Sequence, residues 1–135
     1  MAYFEWTDNL SVGLKEIDEQ HKKLISIINQ LHEAMLANRG RALQKEIIYQ
    51  MADYAVHHFA LEEKLMRSSN FPGYEAHQQE HWQFATEAAE LKGRADRDEL
   101  ILSQEILSLL KDWLQNHIIG TDMKYVGHFR AHGIV

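Results

Sequence analysis

Apolar residues recur at steps of three and four along most of this chain, and only one proline, Pro72, interrupts the pattern. That spacing marks α-helices that bury one face, and no stretch sustains the period-two alternation of strands. An all-α fold is the expectation. With 135 residues and 45% hydrophobic content, the chain can bury a continuous core as a single domain, 1–135, without disulfides or partner subunits. A monomer follows.

The first helix is expected at about 17–38, along the stripe Ile17, His21, Leu24, Ile28, Leu31 and Met35, stopping near Asn38 to Gly40. A second, about 41–67, carries Ile47 or Ile48, Met51, Ala55, His58, Glu62 and Met66. Ser68, Ser69 and Asn70 lead into the Phe71-Pro72-Gly73 turn. The third helix, about 73–93, holds His77, His81, Phe84, Ala88 and Leu91 and closes at Gly93. The fourth, about 98–119, starts from a cap at Asp96 or Asp98, repeats Ser103, Leu107, Leu110, Leu114 and His117, and ends at Gly120. Short connections make this an antiparallel up-down-up-down four-helix bundle. An N-terminal arm of about 1–16, with Tyr3, Phe4 and Trp6, packs across its side or end, and a short C-terminal tail covers 120–135.

Polar residues break the apolar stripes at His21, at His58 with Glu62, at His77 with His81, and at His117. Periodicity assigns all of them to the core, and buried polar groups need partners. Side chains four apart share a helix face, so His77 and His81 can aim at one ion, as can His58 and Glu62. One such pair is weak as a signal; four helices offering ligands together point to a metal site. The chain has no cysteine, so the donors must be nitrogen and oxygen. Five residues after His117, a regular helix would turn Asp122 about 140° away. A helix that ends or loosens at Ile119-Gly120 brings it back beneath His117 to share a metal; a cap or surface acid is the alternative on spacing alone.

The order His21, His58-x-x-x-Glu62, His77-x-x-x-His81, His117-x-x-x-x-Asp122 resembles the haemerythrin family, specifically its single-domain bacterial members, the bacteriohaemerythrins. Flanking matches are Ile17-Asp18-Glu19-Gln20-His21, His58-Phe59-Ala60-Leu61-Glu62-Glu63, Phe71-Pro72-Gly73-Tyr74 and Thr121-Asp122. The resemblance implies two iron ions (Fe2+/Fe3+) joined by a bridging oxo or hydroxo group, Glu62 and Asp122. His77, His81 and His117 would hold one iron and His21 and His58 the other, which keeps a position open for O2. A nitrogen-rich set of this kind suits iron and lacks the Glu-x-x-His motif of carboxylate-rich oxidases. The implied function is reversible O2 binding for storage, transport or delivery, with an oxygen-consuming enzyme as recipient. O2, redox or NO sensing, or a di-iron peroxidase or oxidase on the same ligands, is the alternative, and zinc or manganese the alternative metal.

Reversibility needs a dry pocket. Leu114, one turn before His117, is its expected wall, with Trp113, Ile118, Phe59 and Tyr125 completing it. His57 has polar helical neighbours and reads as solvated. His32 lies about 16 Å along the axis from His21, so one centre cannot use both. His128 and His132 read as part of a mobile tail, and Glu63 as a surface acid on a different face from Glu62. The net charge of -6, with no basic run, disfavours nucleic acid and anionic membranes. Glu5 and Asp8 stand where a secretory signal would carry lysines, and no segment reaches the length of a membrane span. A cytoplasmic location is expected.

Overall fold

The structure, a computed structural model, describes residues 3–134; Met1, Ala2 and Val135, at the tips of the expected arm and tail, lie outside the described residues. Helices α1 (Lys15–Leu36), α2 (Gly40–Ser68), α3 (Tyr74–Asp96) and α4 (Ser103–Asp112) form a four-helix bundle, with α2 packed on α1 and α3 and α1 packed on α4. No strand occurs among the described residues. None of these helices is long and apolar enough to cross a membrane.

The first three helices stop by one device. Asn38, Asn70 and Asp98 adopt left-handed backbone, with φ of 57°, 55° and 56°. The next residue's N–H then reaches back to the carbonyl five positions earlier: Arg39 to Ala34, Phe71 to Met66 and Glu99 to Arg94. Those bonds satisfy carbonyls that a helix end would otherwise orphan. Asn and Asp reach this conformation more readily than other side chains, and their placement corrects two expected boundaries. Gly93 lies inside α3, which runs on to Asp96, and α4 starts at Ser103 without a capping aspartate. Between them Ile101 is buried, and Gln44 Nε2 donates to its carbonyl at 2.6 Å and to Ser103 Oγ at 3.0 Å.

The largest departure follows α4. The helix does not end at Gly120; it loosens there, as one expected alternative had it, but over a longer stretch, widening into a π-helical segment, Trp113–Thr121. A turn of 3₁₀ helix (Asp122–Tyr125) and a short α5 (Val126–Ala131) follow. The expected tail is therefore helical and anchored: Phe129 is buried, and His128 Nε2 donates to the Ser69 carbonyl at 2.7 Å. The arm lies along α1, where Phe4 and Asn29 exchange two hydrogen bonds of 2.8 Å and Lys22 sits over the Trp6 ring.

Two apolar clusters fill the interior. One, including Leu24, Ile28, Met51, Phe84 and Leu110, draws on all four bundle helices. The other gathers Val12, Leu14, Ile17, Met66, Tyr125 and Phe129 near the arm's junction with α1. Along α1, α2 and the last helical run, His21, His58 with Glu62, and His117 with Asp122 fall between residues of the two clusters. A polar layer thus crosses the core.

Candidate metal centre

Each helix contributes to this layer by simple spacing. In α2 and α3 the four-residue pairs His58/Glu62 and His77/His81 project from one face, as the α-helical repeat requires. Asp122 follows from the π-helical segment. Its backbone N–H donates to the His117 carbonyl, the five-residue bond of a π-helix, so residues five apart come to stand on the same face. The angular mismatch of a regular helix is removed by widening.

All seven residues are buried, none more than 2% exposed. Their ligand atoms form two overlapping groups, Glu62 with His77, His81, His117 and Asp122, and Glu62 with His21, His58 and Asp122. Within each group the atoms lie within 4.8 Å of one another. Both carboxylates belong to both groups. Asp122 divides its oxygens, Oδ1 at 2.8 Å from His77 Nε2 and 3.0 Å from His117 Nε2, Oδ2 at 3.1 Å from His21 Nε2. Glu62 Oε1 lies 3.1 Å from the Nε2 atoms of both His58 and His81, and its Oε2 accepts a hydrogen bond from the Tyr125 hydroxyl.

The outer nitrogens decide what these contacts mean. His58 Nδ1–H donates to Gln20 Oε1 at 2.6 Å, His81 Nδ1–H to Glu63 Oε2 at 3.0 Å and His117 Nδ1–H to Glu80 Oε1 at 2.9 Å. A neutral imidazole with its proton on Nδ1 presents a lone pair at Nε2. Those lone pairs point toward carboxylate oxygens that also carry lone pairs. His77 Nε2, His117 Nε2 and both Asp122 oxygens find no hydrogen-bond partner despite their proximity. Lone pairs converging in a dry interior call for cations between them. The donor set fits two metal ions held by nitrogen and oxygen.

Without metal, the groups compensate one another. Burial works to lower His77, but Asp122 and Glu62 outweigh it and raise the imidazole to about 9. Burial also drives Glu62 and Asp122 upward, yet the surrounding histidines hold both below the ordinary carboxylate range. His58 is lowered, burial exceeding the pull of Glu62. Glu80, whose burial is outweighed by donation from His117 and Thr121, is held below its usual value.

Of the residues expected around an O2 pocket, three stack on the three-histidine group. Trp113 lies on His117 (3.8 Å between centroids), Phe59 on His81 (4.0 Å) and Tyr125 on His77 (5.6 Å). Leu114 and Ile118 are buried in the larger apolar cluster. Tyr54, which sequence reasoning passed over, stacks on His58 at 5.0 Å and accepts a hydrogen bond from Trp113 Nε1. Glu63 is corrected from a surface acid to the hydrogen-bond acceptor of His81. Gln20 and Glu80 were missed as partners. All three are chain neighbours of a ligand position, and that adjacency was the available signal. His57 is exposed and His32 stands apart beside Tyr3.

Comparison with known proteins agrees with this arrangement. Residues 12–129 match the sequence profile of the Hemerythrin HHE cation binding domain. The chain is 39% identical over 132 residues to a bacteriohemerythrin of Stenotrophomonas maltophilia, covering 98% of this chain and 85% of that one. It is 37% identical over 124 residues to a hemerythrin-like protein of Naegleria gruberi, covering 92% of each. The crystal structure of a wild-type hemerythrin superposes with a TM-score of 0.82 at 28% identity, over 93% of this chain and 97% of that one. With its buried histidines and carboxylates in a four-helix bundle and a family match across most of its length, this chain belongs to the haemerythrin family.

Proposed function

We propose that the chain binds O2 reversibly at a non-haem di-iron centre, serving oxygen storage, transport or delivery. The observation that carries this reading is the pair of overlapping donor groups, three histidines against two, joined by Glu62 and Asp122. Iron ions held there would supply the redox chemistry that reversible O2 binding requires. Unequal histidine numbers leave the two-histidine side (His21, His58) with fewer protein donors, and that side is where a small ligand has room.

The remaining residues have protein-borne tasks. Tyr125 fixes Glu62 through its Oε2 and holds the carboxylate toward both groups. Thr121 and His117 both donate to Glu80, which ties the π-helical segment to α3. Leu114 and Ile118, 1% and 0% exposed, wall the centre against water and the protons that would promote irreversible oxidation. Phe59 and Trp113, from the same apolar cluster, brace the His81 and His117 imidazoles by stacking.

Metal analysis of protein purified from native cells tests the reading, with two irons per chain expected. Zinc or manganese in their place would overturn it. Steady-state consumption of peroxide or NO by the iron-loaded protein would favour a di-iron enzyme over a carrier.

A further inference from the structure

The acceptors on the outer imidazole nitrogens follow a rule. Gln20 precedes His21 in α1 but accepts from His58 of α2; Glu63 follows Glu62 in α2 but accepts from His81 of α3; Glu80 precedes His81 in α3 but accepts from His117. A residue adjacent to a ligand is turned about 100° around its helix, off the core stripe and toward the neighbouring helix. Each helix thus orients the histidine of the next. The sequence of contacts stops there: His21 Nδ1 and His77 Nδ1 are buried without partners.

The chemistry of the acceptors is unequal. In the three-histidine group, His81 and His117 both give their protons to carboxylates. In the two-histidine group, His58 has only a neutral amide and His21 has nothing. A carboxylate acceptor draws the Nδ1 proton, increases the basicity of Nε2 and makes the imidazole a stronger donor to a metal. From this geometry we infer that Glu63 and Glu80 are positioning residues that bias the three-histidine position toward the more highly charged metal ion. The bias adds to the difference in ligand number. It rests on the di-iron reading given above.

Glu63→Gln and Glu80→Gln, singly and together, keep the shape and an acceptor oxygen while removing the charge. Gln20→Glu does the converse on His58. In spectroelectrochemical titration each step passes one electron from the electrode to one ferric ion. The double variant is expected to raise one of the two potentials, by about 59 mV for each tenfold loss of ferric over ferrous preference, and to leave the other in place. Gln20→Glu is expected to lower the other potential and narrow the gap, a gain that mere structural damage would not produce. Cobalt(II) binding to metal-free protein gives a readout without iron: the double variant should weaken one of two sites about ten- to a hundredfold. Two metals bound with unshifted potentials, or with both potentials moved equally, overturn this inference alone. Failure of the unmodified protein to bind two metals overturns the di-iron reading as well.

Discussion

At the scale of residues, the centre depends on two carboxylates held in a dry interior by imidazoles. Their cost is set by what neutralises them, since an unpaired buried charge is far more expensive than a paired one. Asp122→Asn keeps the side-chain volume and removes the charge that faces both donor groups. The expected outcome is a fall in metal content from two ions per chain toward one, measured by metal analysis, with helicity by circular dichroism unchanged. Leu114→Ala tests the apolar wall. Truncating a leucine buried to 1% exposure costs about 2–5 kcal/mol; iron loading should survive while irreversible oxidation of the reduced protein accelerates, followed by decay of its O2-dependent absorption.

Six of the candidate ligands were legible because each interrupts an apolar stripe, where a polar residue is conspicuous, whereas Asp122 stood off the stripe and drew attention only through the family resemblance. Gln20, Glu63 and Glu80 were not legible. They sit off the stripe, among ordinary charged surface residues, and their partners lie on other helices. Only tertiary packing distinguishes Glu80 from Glu87 or Glu90.

At the scale of elements, the number and facing of the four bundle helices were written in the periodicity, whereas the helical C-terminal run and the way helices end were not. Glycines at 93 and 120 suggested stops, yet left-handed Asp98 ends α3 and no stop occurs at Gly120. A helical glycine is tolerated when side-chain packing on either side outweighs its entropic cost. Asp98 carries the opposite strain, an L-residue with a Cβ in left-handed backbone, offset only partly by its short polar side chain. Asp98→Gly should therefore raise stability by about 0.5 kcal/mol, read as a shifted denaturant midpoint with unchanged slope. The π-helical segment had no composition signal beyond the five-residue spacing of His117 and Asp122. That spacing is a misfit in a regular helix and a match in a widened one.

At the scale of the whole molecule, a polar layer between two apolar clusters makes stability depend on what occupies it. In metal-free protein the raised His77, at about 9 against an ordinary 6.5, stabilises the fold fully below pH 6.5, and that contribution is lost as the pH rises through about 9. The lowered Glu62 and Asp122 contribute in the other direction: theirs is present above the ordinary carboxylate range and lost as acid protonates them. Thermal melts of metal-free protein should therefore fall between pH 6.5 and 9. Metal loading should raise the melting temperature and remove that slope, because His77 as a metal ligand would have to be neutral.

The proposed reversible binding of O2 at two irons is read in the absorption spectrum of reduced, iron-loaded protein. Admission of O2 should produce a visible charge-transfer band that disappears under vacuum and returns on re-exposure over repeated cycles. Iron-loaded protein that gives no such band, or whose band persists after degassing, would contradict it.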